Sequence, residues 1–303
     1  MKYAILDVGT NNVLFLIADL QDGKIMPLHR TANISAMGKK MQDGKISYAA
    51  LKRTKSILAD NIKFAGMFTN NIIILGTSCS RDAKNINELS DWLLSRFGVK
   101  YNIISGELEA ELSGIASLHA FPEYSNIITF DVGGGSTEFN FIKAGKIISS
   151  QSLPLGIRRL DDAFGNDFNA KFEKTNKILE TLHIPELIDF TLVGVGGTVT
   201  SLAAYKVHMI NYDGEKVHKS HLTETEIRFM LDEFRSLTDD EIAYLMPFDR
   251  NRADIIATGT MIVHEILKKF QADDCVISDF GMQFGLLYKS SGFLRNLMVD
   301  TGK

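Results

Sequence analysis

Cysteine is scarce in this chain: 303 residues hold only Cys79 and Cys275. Each lies beside a strand-like run, so they read as buried thiols and give no disulfide framework. Proline is also rare, with five residues, and no Pro- or Ser-rich linker or long charge block marks off a third domain. No apolar run approaches the length of a bilayer span. The charged Asp7 follows the start too closely for a signal segment. The expectation is a cytoplasmic protein without membrane attachment. A large excess of one charge is missing too. The net charge of −4 argues against a DNA or RNA binder, although a local field can still draw an anionic substrate. His208, His218 and His221 lack a zinc spacing such as H-E-x-x-H. What remains is an ordinary apolar content of 45% and enough length for two domains, each with its own core.

The chain is organised around Ile127–Phe141, which reads I-I-T-F-D-V-G-G-G-S-T-E-F-N-F. Ile127–Phe130 has the β-branched and aromatic character of a strand. Asp131 ends it, then come Gly133, Gly134, Gly135, Ser136 and Thr137, and Glu138 opens a second apolar run. Glycines at this density permit φ > 0 and leave no Cβ in the way, so bare N–H groups can wrap a phosphate. Asp131 and Glu138 are hard oxygen ligands suited to Mg²⁺. The alternative is a plain hairpin, which needs only one or two glycines.

The pattern occurs earlier as well. Asp7 is followed by Gly9, Thr10, Asn11 and Asn12, then by the apolar run Val13–Ala18. Setting Asp7 on Asp131 puts Gly9 on Gly133 and Phe15 on Phe139, and each copy then reaches a Gly-Lys-Ile, at Gly23 and at Gly145. The second copy reaches it two residues sooner. An internal repeat outranks local assignments. It implies two related domains, each offering a phosphate turn to a polyanion or nucleotide lying in a cleft between them. The metal-ligand candidates are Asp131, Glu138 and Asp7.

Further along, Ser47 is an N-cap candidate for a helix to about Phe64. The strand Asn71–Leu75 ends in a polar segment that holds Arg81, a candidate oxyanion clamp because a guanidinium offers a fork of donors. Its other reading is a helix-start residue or a partner of Asp82. Ser105 can cap a helix that carries Glu107, Glu109 and Glu111 in its first turns. Glu107 and Glu111 share one face, and Glu109 points elsewhere. A carboxylate buried beside phosphates has a raised pKa and can act as general base on water. Phe121-Pro122-Glu123 breaks the chain, so the domains are expected at 1–121 and 122–303, each on a mixed five-stranded sheet. In the second, Arg158 and Arg159 add positive charge, and Gly196, Gly197 and Thr198 open a helix as a further anion site. Close helix–strand packing explains those glycines equally. The tail from Lys289 reads as short and polar.

Together, D-V-G-T-N-N at Asp7–Asn12, R-D-A-K-N at Arg81–Asn85, S-G-E-L-E-A at Ser105–Ala110 and D-V-G-G-G-S-T-E at Asp131–Glu138 resemble the exopolyphosphatase/guanosine pentaphosphate phosphatase family. L-P-L-G-I-R-R-L at Leu153–Leu160, G-V-G-G-T at Gly194–Thr198, R-A-D-I-I at Arg252–Ile256 and S-D-F-G at Ser278–Gly281 continue it in the same order. The resemblance implies an α/β fold of two ribonuclease-H-like domains, as in the actin/Hsp70/sugar-kinase superfamily, with an interdomain cleft. It implies an acid anhydride hydrolase that uses Mg²⁺ to remove the terminal phosphate of inorganic polyphosphate, or to convert pppGpp to ppGpp. Glu109 then matches the catalytic base, Arg81 the substrate-contacting arginine, and Asp131 and Glu138 the metal carboxylates. A homodimer is among the expectations. Glu111 stands where the family has arginine, Thr10 replaces a serine, and Gln283 replaces another arginine, so positive charge is scarcer. The chain also stops where long members add an HD-type domain. The rival readings are an ATP-dependent small-molecule kinase of the same superfamily and a non-catalytic nucleotide or polyphosphate sensor.

Overall fold

A computed structural model describes residues 1–298 of the chain. They form two α/β units, each on a mixed sheet. In the first unit, β1 (Lys2–Val8), β2 (Asn12–Gln21) and β3 (Lys24–Ile34) make an antiparallel meander. α1 (Tyr48–Ala65) leads to β4 (Ile72–Gly76), which pairs in parallel with β1. Ser47 accepts from the N–H of Ala50 at 3.2 Å, the N-cap its sequence position suggested. After β4 the polar segment forms a short helix of its own, α2 (Ser78–Asp82). α3 (Asn87–Phe97) ends at Gly98 in the left-handed region, φ 66°. β5 (Tyr101–Ile103) completes the order β3-β2-β1-β4-β5. β1 is buried from Tyr3 to Leu6 because it is the central strand with both faces covered. α4 (Gly106–Ala120) is capped by Ser105, whose Oγ accepts from Leu108 N at 3.2 Å.

The division between units falls inside α4, after Leu112, rather than at the Phe121 break. The second unit opens with β6 (Ile127–Val132), β7 (Thr137–Lys143) and β8 (Lys146–Leu153), another antiparallel meander. Then come α5 (Ile157–Phe164), α6 (Phe168–Leu179), β9 (Thr191–Val195), α7 (Gly197–Lys206) and α8 (Gly214–Val217). β10 (His221–Thr223), α9 (Glu224–Ser236), α10 (Asp239–Leu245), a 3-10 turn at Arg250–Arg252, α11 (Ala253–Phe270) and β11 (Asp274–Ser278) follow. Thr223 and Glu226 close a capping box at the start of α9. The sheet has six strands among the described residues, β10-β11-β9-β6-β7-β8, not the five expected. β10 has only three residues with one buried side chain, Leu222, too short an alternation to distinguish a strand from a loop. Ile128, Phe130 and Val132 face a core that includes Val199, Ile256 and Ile262, while Ile127 faces Ala120 and Phe121 on the other side. That is the period-two pattern of a strand covered on both faces.

After β11 the chain forms α12 (Met282–Leu287) and α13 (Ser291–Leu297), and from Gln283 on it belongs to the first unit. The expected second domain of 122–303 therefore differs at both ends. The reason is side-chain bonding: Gln283 Nε2 donates to the carbonyls of Ile5 and Leu14, both at 3.0 Å, and Asn102 Nδ2 donates to Leu297 O at 2.8 Å. The tail read as polar is thus helical at Ser291–Leu297, and its residues 299–303 lie outside the described residues. Among the described residues no helix is long and apolar enough to cross a membrane.

The internal repeat is visible in detail. Asp22 and Gly23 have φ of 49° and 76°, and Ala144 and Gly145 have 48° and 71°, so both meanders turn through a two-residue hairpin with positive φ at both positions. Register shifts fall between Ile17 and Ala18 in one and between Phe141 and Ile142 in the other. Ile17 and Phe141 correspond once Asp7 is set on Asp131.

Candidate active site

The two phosphate turns share one construction. In the first, the Gly9 N–H donates to Asn12 O at 2.8 Å; in the second, the Gly133 N–H donates to Ser136 O at 2.9 Å. A Cβ on either glycine would press on that same carbonyl, at 3.2 and 3.0 Å. Gly133, Gly134 and Gly135 do not use positive φ, contrary to the sequence expectation. The tight approach is at Gly156, where a Cβ would overlap the backbone of Gly134 and Gly135.

The carbonyls of each turn are tied down from behind. Thr10 O accepts from Gly38 N, and Asn11 O from Ser35 N and Ala36 N. Gly133 O accepts from Ile157 N, and Gly134 O from Arg158 N and Arg159 N. In a trans peptide the C=O and the next N–H point in opposite directions. The N–H groups of Asn11 and Asn12, and of Gly134 and Gly135, are therefore turned away from these anchors. Successive N–H groups on one side of a turn make an anion-binding concavity. The side chain of Thr137 does not belong to it: Thr137 is fully buried and its Oγ1 donates to Leu155 O at 2.5 Å.

The carboxylates follow from strand register. Asp131 stands directly opposite Glu138, and Glu138 opposite Ser152, so the three share one face of the sheet. Glu138 is buried, and its Oε1 accepts from Ser152 Oγ at 2.8 Å. The next row inward is Thr129, Asn140 and Ser150, joined by bonds of 2.9 and 2.7 Å. In the first unit Asp7 stands opposite Leu14 and Leu14 opposite Ala32, so its row holds no second carboxylate.

Asp131 also pairs with Val195 at the end of β9. Gly196 follows with φ 85°, and a Cβ there would overlap the Asp131 carboxylate. Glycine is thus required twice, by conformation and by space. Gly197 and Thr198 begin α7, where helix N–H groups lack intrahelical acceptors. Thr198 Oγ1 donates to Val132 O at 2.9 Å, tying this helix start to the end of β6. The buried guanidinium of Arg252 lies against Gly197. Arg252 appeared in the sequence only as part of the R-A-D-I-I motif and Ser152 gave no signal, both being remote from the glycines in the chain.

Arg81, on α2, places Nη1 at 2.7 Å from Glu109 Oε2 and at 3.0 Å from Ile104 O. Burial pushes the Glu109 carboxyl above the ordinary glutamate range, and the charge and hydrogen bond of Arg81 oppose that rise. Glu107, by contrast, is exposed, and hydrogen bonds to its own backbone and to Ser105 hold it low. Glu111 is more than a helix-end charge, because its Oε1 takes Lys289 Nζ at 2.5 Å. The negative charge at position 111 is thus offset by a lysine of the C-terminal segment, which the sequence alone does not bring near.

Asp131 and Glu138 fit a hard divalent cation: two adjacent oxygen donors, one of them set in the space that Gly196 leaves open. Magnesium commonly takes one or two carboxylates and completes its shell with water and phosphate. Among the described residues no group of three or more His, Cys, Asp or Glu is placed to hold a metal ion.

The model of the Ppx/GppA phosphatase family matches residues 16–292. The chain belongs to this family. A bifunctional 3-dehydroquinate synthase/phosphatase of Fusobacterium nucleatum is 31% identical over 91% of the chain, which spans 44% of that relative's length. Exopolyphosphatase 2 of Mycobacterium tuberculosis is 25% identical over 96% of this chain and 99% of its own. The crystal structure of the Aquifex aeolicus Ppx/GppA family member matches with a TM-score of 0.80 at 28% identity, covering 98% of both chains. An exopolyphosphatase structure from Cytophaga hutchinsonii matches with a TM-score of 0.85 at 23% identity, covering 98% of both, and shows the fold alone. The chain thus belongs to a family of phosphatases and has the two-domain, actin/Hsp70-like fold anticipated from its sequence.

Proposed function

We propose that the chain removes the terminal phosphate of inorganic polyphosphate by Mg²⁺-assisted hydrolysis, and that Glu109 is the general base. The observation that carries this is the Arg81–Glu109 pair, a carboxylate raised by burial and gripped through one oxygen only. The grip on Oε2 leaves Oε1 to accept a proton from water. The water oxygen attacks the terminal phosphorus in line, the anhydride P–O bond breaks, and the shortened chain leaves as the anion. The water proton passes to Glu109. The N–H groups of the glycine turn and of the α7 start stabilise the oxygens of the transferring phosphoryl group, as fixed donors do in phosphoryl transfer. Asp131 and Glu138 would hold Mg²⁺, which supplies charge neutralisation at the phosphate oxygens when bound.

The names of the relatives support this class, since exopolyphosphatase 2 of Mycobacterium tuberculosis is among them. The terminal anhydride of pppGpp offers the same reacting group, so the substrate panel includes it. The test is phosphate release from short and long polyphosphate, pppGpp, GTP and ATP, each with Mg²⁺ and with EDTA. Release from polyphosphate that stops with EDTA is the expected result. No release from any member sinks the proposal. A phosphorylated acceptor formed only with ATP replaces it with a kinase, and tight binding without turnover replaces it with a sensor.

A further inference from the structure

α5 is anchored on the side away from the glycine turn. Arg158 is buried and makes a two-pronged pair with Asp254, at 2.7 and 3.0 Å. Asp161 receives Lys171 Nζ and Thr258 Oγ1, both at 2.6 Å. Lys171 is itself buried and bonds Thr258 at 2.8 Å. These contacts tie α5 to α6 and α11 and fix its first turn. That first turn presents the N–H groups of Ile157, Arg158 and Arg159 to Gly133 O and Gly134 O at 3.1, 2.8 and 3.3 Å. Gly156 lets the backbones come this close.

One carbonyl of the turn is beyond the reach of these backbone donors. Gly135 O is held by a side chain, Arg159 Nε, at 3.0 Å. By the same trans-peptide geometry, this bond decides where the N–H of Ser136 points. We propose that Arg159 is a positioning residue: its Nε–H bond to Gly135 O aims the Ser136 N–H into the anion-binding turn. The inference rests on the phosphohydrolase reading above. It assigns Arg159 a role through the Gly135 carbonyl, not through its charge.

Side-chain length separates these two roles. Glutamine carries an N–H donor on Nε2 at the same number of bonds from Cα as Arg159 Nε, without charge. Lysine keeps the charge but has a methylene there. With tripolyphosphate and Mg²⁺, Arg159→Gln is expected to keep kcat/KM within about threefold of wild type. Arg159→Lys is expected to lose about tenfold, mostly in KM, which is about 1.4 kcal/mol and the size of one hydrogen bond. The amide resonance of Ser136 is expected to shift with tripolyphosphate in wild type and in Arg159→Gln, and not in Arg159→Lys. Arg159 is exposed, so both variants should fold, and a melting curve checks it. Wild-type behaviour of Arg159→Lys, or a loss in Arg159→Gln as deep as in Arg159→Lys, overturns the positioning role. Wild type that neither binds nor hydrolyses tripolyphosphate overturns the phosphohydrolase reading instead.

Discussion

Replacing Glu109 by glutamine tests the chemistry at its centre. The amide keeps the shape of the carboxyl, and its oxygen can still accept from Arg81, whose other bond to Ile104 O at 3.0 Å is untouched. What changes is the second atom. Oε1, an acceptor for the water proton, becomes an N–H₂ donor that cannot take it. General-base catalysis is worth about 10²–10⁴-fold, or about 3–5 kcal/mol of barrier at 1.36 kcal/mol per decade. The fold should hardly notice. A partly exposed ion pair contributes about 0–1 kcal/mol, and burial already opposes the charged form of Glu109. Melting should therefore move by no more than about 2–4 °C. The assay is kcat and KM for phosphate release from the best substrate of the panel, beside a thermal melt. A fall of about 10²–10⁴-fold in kcat with little change in KM is expected. Turnover like wild type refutes the base, and a collapsed melt refutes the claim that the pair is dispensable to folding.

Other outcomes follow from the same geometry. The acid limb of kcat/KM should lie above the ordinary glutamate range, because the working form of Glu109 is the deprotonated one and burial raises its pKa; Arg81→Met, which removes the opposing charge, should move that limb still higher in a pH–rate profile. Glu138→Gln should raise the Mg²⁺ concentration for half-maximal activity at least tenfold while Ser152→Ala raises it less, as a metal titration would show. Gly196→Ala forces a Cβ onto the Asp131 carboxylate at φ 85° and should cost about 1–3 kcal/mol, read from urea unfolding. In the second unit, hydrogen bonds to Glu265 and Glu224 at 3.1 and 2.8 Å raise the pKa of His264 against burial. Burial works against the Glu265 charge too, yet hydrogen bonds from His264, Asn176 and Lys268 bring its pKa down to about 2. The His264 contribution is present below the unfolded histidine pKa and fades as pH rises through the higher folded value. The stability lost in Glu224→Gln should accordingly be largest near pH 5–6 and shrink above that range, and a loss independent of pH would contradict it.

Much of this protein is written locally. The repeat of strand, polar turn and strand at Asp7 and Asp131 and the caps at Ser47 and Ser105 rest on contacts within a few residues or on a pattern of period two, whereas the fold class came through the family resemblance of the motifs. Such signals survive in one dimension because the residues that make them are neighbours in the chain. The three glycines could be seen to serve a turn, but none of them takes positive φ, and the close backbone approach is made by Gly156, which arrives from beyond β8. A short strand such as His221–Thr223 has too little pattern to announce itself, and only pairing with β11 makes it one.

By itself, then, the sequence determined the longer helices and strands, the two related meanders and the residue types of an anion site, because helix periodicity, strand alternation and capping are short-range effects. Only the tertiary structure decided which groups meet. Arg81 reaches Glu109 across 28 residues, Arg158 reaches Asp254 across 96, and Lys289 reaches Glu111 across 178. Gln283 draws the C-terminal helices into the first unit because Ile5 and Leu14 offer it two carbonyls. Those pairings are long-range in sequence and set by the packing of whole elements, so no local rule carries them.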